Sequence, residues 1–345
     1  MLPTDLPETM PEFLTRFGTD AGCRDYLFRS RWPDGFRCPA CGHGRHYFLT
    51  RKVNVWQCAG CKSQGSLLTG TIFEQTKSSL SKWFLAIYLF ASSKGGIAAD
   101  ELQRQIGFHS DQTAWTWLHK LRAAMSVRGA PLEGRVEVDE TYVGGPEPGK
   151  RGRGAAGKTL VAGAVETRTY TVVAPDPTRL RGVAARLAEG VAARLAEGRG
   201  TVRRCLGRVR LGVIDSVSTK ALEQFIKSSI APGASIVSDG WSGYLGATSD
   251  GYTHERIVLS RSSGKAHESL PGPHLIFNLT KRLLLGTYHG GVQPARLDGY
   301  LDEYTFRFNR RRLKPAVRAM RLLERALATP PLRNHTIMSR TKIAT

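Results

Sequence analysis

Apolar and polar positions fall into four zones with different periods. In residues 1–36, two stretches, Pro11–Phe17 and Ala21–Arg29, space apolar side chains three and four apart. They predict two short helices ending at Trp32-Pro33-Asp34-Gly35. Residues 37–70 are short-patterned, turn-rich and cysteine-bearing. Helical spacing returns over 76–128. Ser79 or Ser81 serves as N-cap for an apolar run from Trp83 to Phe90, which Lys94-Gly95-Gly96 stops. A second helix, Ala98–Ile106, ends at Gly107. A third begins near Ser110 or Asp111 and shows Trp115, Leu118, Leu121 and Met125 on one face. From Arg135 the pattern predicts strands at Arg135–Val143, Thr159–Glu166 and Arg208–Ile214, a helix at Thr219–Ile230 and a short strand at Ser235–Ser238. From His274 to about Leu327 the pattern is mostly helical, interrupted at Gly286–Gly291. The fold class expected is multidomain α/β.

Two stretches stand apart. Gly144–Lys158 is a glycine-rich basic loop, and VAARLAEG occurs twice in succession over 183–198. Two copies do not make a solenoid, so the repeat reads as one extra helical excursion. Apolar residues make up 41% of the 345, enough for a real core. Fifty Lys and Arg against 29 Asp and Glu give a net charge of +21, which predicts a polyanionic partner. The longest apolar run, around Trp83–Ala91, is too short to cross a bilayer, and no basic-then-apolar leader follows Met1. A nucleic-acid partner, no membrane and a cytoplasmic placement are the expectations.

Cys38-Pro-Ala-Cys41 and Cys58-Ala-Gly-Cys61 form two C-x2-C knuckles with 16 residues between them. This spacing suits a structural Zn2+ held by four thiolates. Gly42 and Gly60 fit the tight turn of each knuckle, and Tyr47, Phe48, Val53, Val55 and Trp56 suit a hairpin between them. His43 and His46 are the alternative ligands, and Cys23 and Cys205 read as ordinary thiols. The Ala98–Ile106 and Asp111–Met125 pair has helix-turn-helix proportions, with Gln105, Gln112, Thr113, Thr116, His119, Lys120 and Arg122 as DNA-facing candidates. A plain helical bundle explains the same pattern.

Asp139 interrupts an otherwise apolar strand, and Asp239 ends another just before Gly240. Two such aspartates on neighbouring strands make a hard oxygen site for Mg2+ or Mn2+, able to serve phosphodiester cleavage. Glu140 faces the opposite side of an ideal strand, Glu137 shares the face of Asp139, and Asp215 is the rival carboxylate. Trp241 and Tyr244 read as core or as base-stacking residues. Arg307, Arg310, Arg311, Arg312 and Lys314, interleaved with Phe306 and Phe308, read as a phosphate-facing patch.

The two knuckles, VEVDETYVGG, SDGWSGY and KRLLLGTYHGG…LDEYTFRFNRR together resemble bacterial insertion-sequence transposases of the zinc-ribbon, ISXO type, from about Phe13 to Arg312. The resemblance implies an RNase H-like catalytic domain with a DDE-type site containing Asp139 and Asp239. It implies cleavage at terminal inverted repeats and strand transfer into double-stranded target DNA by a homodimer or higher oligomer in the bacterial nucleoid. The third acid departs from the pattern. Seven residues before Lys281 stands His274, where many members have glutamate, and His274 lies 35 positions after Asp239. Asn278 is the alternative, since some members use asparagine, and His274, Asn278 and Lys281 share one helical face. His274 is favoured, with Lys281 on phosphate and Arg282 beside it as a further DNA contact. A second departure is an insertion at about 167–204, which makes a catalytically inactive zinc-ribbon DNA binder the alternative reading. The expected domains are a helical segment (1–36), the ribbon (37–70), a helical DNA-binding segment (76–128), the catalytic domain (132–315) and a tail (316–345).

Overall fold

A computed structural model describes residues 6–126, 129–144, 158–171, 202–247, 251–257 and 270–338. The basic loop at 145–157 and the repeat-bearing stretch 172–201 lie outside the described residues. The elements, in chain order, are α1 (Met10–Phe17), α2 (Asp20–Arg31), β1 (His46–Phe48), β2 (Val55–Cys58), β3 (Gln64–Ser66), α3 (Leu80–Ser92), α4 (Ala99–Ile106) and α5 (Asp111–Met125). There follow β4 (Arg135–Val143), β5 (Thr159–Thr171), β6 (Val202–Val213), α6 (Thr219–Ser229), β7 (Ser235–Asp239), α7 (Gly243–Ala247) and β8 (Thr253–Ile257). Last come α8 (Pro271–Gly286), α9 (Leu297–Asn309), α10 (Pro315–Ala328) and α11 (Asn334–Met338). The chain divides into two compact units, Met1–Gly129 with Thr280–Thr345, and Ala130–Leu279.

In the first unit, local chemistry sets the helix ends. Thr9 caps α1, and the Glu12 carboxylate reaches back to the Glu8 amide at 2.9 Å. Ser79, not Ser81, caps α3, while the Ser81 amide donates to Asp20. Gly107 ends α4 in the left-handed conformation at φ 71°. A core of Phe13, Phe17, Trp83, Phe84, Phe90, Leu118, Leu121, Phe306 and Leu323 binds these helices. The helical pattern expected to about Leu327 ends in α10, which buries Ala316, Met320 and Leu323 in this core. On α5 it is Trp117 that lies inside, stacked on Trp83 at 3.5 Å between centroids, while Trp115 is half-buried beside His119.

Two expected DNA contacts are corrected here. Arg122 is 2% exposed and donates through Nε to Glu303 at 2.8 Å, and Glu303 itself is fully buried. Arg307, 6% exposed, pairs with the same carboxylate and donates to the carbonyls of Phe90 and Ser93. Tyr288 donates to Glu303 at 2.6 Å, and the Arg122 guanidinium lies 3.9 Å from the Tyr300 ring centroid. One carboxylate thus pairs with two buried guanidiniums, and neither arginine can reach a phosphate. Thr116 is likewise buried, so α5 is mainly a core helix.

The second unit is built on a mixed sheet in the order β6-β5-β4-β7-β8. The first three strands pair antiparallel, and β4·β7 and β7·β8 pair parallel. On one face Val136, Val138, Ala162, Ala164 and Ile236 pack with Leu222, Phe225, Ile226 and Tyr244. On the other lies the first half of α8. Strands β5 and β6 run longer than their apolar patterns, pairing out to Thr171↔Val202. The insertion therefore leaves and re-enters the sheet at adjacent positions, which keeps the loop-closure cost of a long excursion small. A short helix, α7, and the outer strand β8 were not anticipated.

Glu303→Ala is expected to lower the unfolding free energy by about 3–5 kcal/mol, because it strands two buried cations. Arg312→Ala, on an exposed turn, is expected to stay within about 0.5 kcal/mol. Chemical denaturation of both variants checks the contrast, and a small loss for Glu303→Ala would refute the role given to this carboxylate.

Candidate functional site

The four knuckle cysteines converge. Sγ of Cys38 lies 3.7 Å from that of Cys61, and Cys41 lies 3.6 Å from Cys58. All four sulfurs fall within 4.8 Å of one another. Tetrahedral Zn–S bonds of about 2.3 Å separate sulfurs by about 3.8 Å, so the donor set fits zinc in number, chemistry and spacing. Each knuckle closes with an amide donating to its first cysteine: Gly42 to Cys38 at 2.8 Å, Lys62 to Cys58 at 3.2 Å. These two residues hold the left-handed turns, at φ 71° and 64°. The second knuckle therefore turns on Lys62 and not on Gly60, against which the His43 ring packs. Burial works against ionisation of Cys58, but amides of Cys61 and Gly60 and neighbouring thiols bring it to about 7. His46 is stacked on Phe28 at 4.3 Å between centroids, its imidazole pulled down by burial, in an aromatic cluster and not on the metal cage.

In the sheet unit, the parallel ladder Arg135↔Ser235 to Glu137↔Val237 sets Asp139 and Asp239 two residues past its last pair, where β4 and β7 part. Both aspartates use one oxygen on the backbone. Asp139 Oδ1 accepts from the Glu140 amide at 2.9 Å, and Asp239 Oδ1 accepts from the Trp241 amide at 3.0 Å. Oδ2 of Asp139 faces His274, whose Nε2 lies 3.8 Å away. The Asp139 carboxyl is pushed up to about 7, first by burial, then by the charges of Glu140 and Asp239. A half-neutralised carboxylate among others is the electrostatic condition that a bound cation relieves.

Neighbouring groups fix this arrangement. Glu137, 1% exposed, accepts from the Gly272 amide at 2.9 Å in the first turn of α8, the helix that carries His274. A Cβ on Gly272 would stand 2.7 Å from that carboxylate, and one on Gly163, the cross-strand partner of Asp139, would stand 2.6 Å from the Phe277 ring. These two glycines let α8 lie close against β5. Glu140 points to the other face and accepts from the buried Tyr244 hydroxyl at 2.6 Å. The Trp241 indole donates to Val217 at 3.1 Å, so both aromatics are structural here. Asn278 is exposed one turn beyond His274, and Lys281 follows within the part of α8 that belongs to the first unit. Asp215 is exposed after β6, two strands from β4. Of the remaining expected DNA contacts, Arg282, Arg311 and Arg312 are exposed, and Arg310 and Lys120 are half-buried. Arg310 and Arg311 lie over Phe306 and Phe308 at 4.2 and 4.0 Å. The capping role of Glu137 was missed. Its signal was an acid flanked by Val136 and Val138 in a strand covered on both faces.

A five-stranded mixed sheet with aspartates where two parallel neighbours part, preceded by a four-cysteine ribbon, defines an RNase H-like catalytic architecture with a zinc ribbon. Residues 131–309 match the ISXO2-like transposase domain and residues 18–64 the transposase zinc-ribbon domain. The first match covers more than half of the chain, which belongs to the ISXO2-like transposase family. An uncharacterized protein in transposable element ISH50 of Halobacterium salinarum (strain ATCC 700922 / JCM 11081 / NRC-1) is 28% identical over 139 residues, 40% of this chain. The match spans 45% of that relative's length. No helix among the described residues is long and apolar enough to cross a membrane.

Chelation of the metal is expected to unfold the ribbon, because structural zinc sites carry folding free energy. Loss of far-ultraviolet signal and a lower Tm would report it, and an unchanged melt would exclude a structural zinc. Without Mg2+ or Mn2+, Asp139 titrates higher folded than unfolded, so its contribution is intact below about pH 4 and is lost as the pH rises to about 7. Asp139→Asn is therefore expected to stabilise the chain at pH 8 and to leave it unchanged at about pH 3. Denaturation of the zinc-loaded chain across that range, with no Mg2+ or Mn2+ added, decides this.

Proposed function

We propose that the chain is an insertion-sequence transposase that binds terminal inverted repeats in double-stranded DNA and catalyses strand cleavage and strand transfer. The observation that carries this reading is His274 Nε2 3.8 Å from Asp139 Oδ2, with the Asp239 charge felt at Asp139, where two interior parallel strands part. Asp139 and Asp239 would hold Mg2+ or Mn2+, each through the carboxylate oxygen its backbone contact leaves over. What such a cation would supply there is activation of water and stabilisation of the leaving 3′ oxygen. His274 would serve as the third residue, taking or giving a proton or a ligand bond at Nε2 beside Asp139 Oδ2, ahead of the exposed Asn278. Glu137 holds the helix that carries it. The domain limits expected from the sequence assign the chemistry to 132–315. Lys120, Lys281, Arg282 and Arg310–Arg312 are the proposed phosphate contacts, in a cytoplasmic, bacterial setting and as a dimer or higher oligomer on DNA. A second reading, an inactive zinc-ribbon DNA binder, is favoured by one feature: an imidazole stands where a third carboxylate would supply charge.

The test is a Mg2+ or Mn2+ strand-cleavage assay on DNA flanking the gene. Asp139→Asn and Asp239→Asn are each expected to lose about 10^3-fold or more in rate while DNA binding is kept. His274→Ala should fall comparably and Asn278→Ala by less than about 3-fold. Cleavage that persists in either aspartate variant would overturn the assignment, and binding without cuts by the parent protein would favour the inactive reading.

A further inference from the structure

Asp239 projects from backbone that the β4·β7 ladder no longer holds, since that ladder ends at Glu137↔Val237. On its other side β7 stays paired with β8 as far as Asp239↔Ile257. Beneath this pairing Ser238 is fully buried, and its hydroxyl donates to the Asp239 carbonyl at 3.0 Å. The same oxygen lies 2.8 Å from Nε2 of His254 on β8. Ser238 Oγ thus stands within hydrogen-bond distance of both the Asp239 carbonyl and the His254 imidazole, able to donate to the carbonyl while accepting from the imidazole. The chain of contacts runs from His254 Nε2 through Ser238 Oγ to the carbonyl of Asp239. A second tether holds the side chain: the Trp241 amide takes Oδ1, and the Trp241 indole is itself fixed to Val217.

We propose that His254 and Ser238 are positioning residues that aim the Asp239 carboxylate at the cation site it shares with Asp139. They set the peptide plane at the residue where strand pairing stops, and the tether to Trp241 then leaves the side chain one orientation. The inference rests on the reading of Asp139 and Asp239 as cation ligands. Both positioning residues reach Asp239 through its main-chain carbonyl and not through its carboxylate. Outer hydrogen bonds of this kind orient metal-binding carboxylates, and their loss costs about 10-fold to 100-fold in metal affinity.

His254→Gln and His254→Leu separate positioning from packing, because glutamine offers an N–H near the position of Nε2 and leucine offers only bulk. Mn2+ binding to the full-length, zinc-loaded chain is measured by calorimetry or electron paramagnetic resonance below the melting temperature of each variant, beside Mn2+-dependent strand cleavage. His254→Leu and Ser238→Ala are expected to weaken Mn2+ binding by about 10-fold or more. His254→Gln should stay within about 3-fold of the parent. Unchanged affinity in His254→Leu overturns the proposal. So does equal weakening in His254→Gln and His254→Leu, or a parent protein with no Mn2+ site that Asp139→Asn removes. The expected Mn2+ pattern in a protein that cuts no DNA supports the positioning role while refuting the transposase reading. Cleavage with Mn2+ affinity indifferent to His254 does the reverse.

Discussion

Two carboxylates carried side by side on parallel strands repel each other, and the sheet unit of this chain is organised around tolerating that repulsion. Asp139 and Asp239 sit where β4 and β7 separate, so the strands need not hold both charges at ladder spacing. Each gives one oxygen to a backbone amide, which lowers the cost of charge, while burial and the nearby Glu140 raise it for Asp139. The balance leaves a site short of positive charge within a chain of net charge +21. The surplus is carried by its lysines and arginines, the charge that a polyanionic partner would meet.

The helical unit solves the opposite problem. There two guanidiniums are buried on one carboxylate, Glu303, with a tyrosine hydroxyl and two main-chain carbonyls taking up the remaining hydrogen bonds. Such a cluster is costly to assemble but intolerant of alternative packings. It ties α5, α9 and the end of α3 to one another more specifically than their leucines alone would.

Much of this was legible in the sequence. The knuckle spacing announced four sulfurs, and the interrupted apolar strands announced both aspartates, because a charge inside such a run needs a reason. Parity along β4 correctly sent Glu140 and Asp139 to opposite faces. What was not legible depended on partners far away in the chain. Arg122 looked like an exposed helix cation because its partner, Glu303, lies 181 residues on. Strand β8 reads Thr-His-Glu-Arg-Ile, too polar to announce itself, and forms because β7 has an edge to pair. Lys62 took a left-handed turn expected of a glycine, held by its ammonium on the Ala59 carbonyl at 3.2 Å and lying over Tyr47.

The glycine contacts under α8 have a consequence of their own. Gly163 and Gly272 set the distance between helix and sheet, and with it the separation of His274 from Asp139. A methyl group at position 163 would meet Phe277 and lever the helix outward by a fraction of an ångström, although it touches neither carboxylate. A copy of the gene bearing that change would keep every cysteine, aspartate and histidine by which it is recognised, and would hold them in the wrong register. Inspection of motifs would pass it as intact; only the spacing between two layers of backbone would betray it.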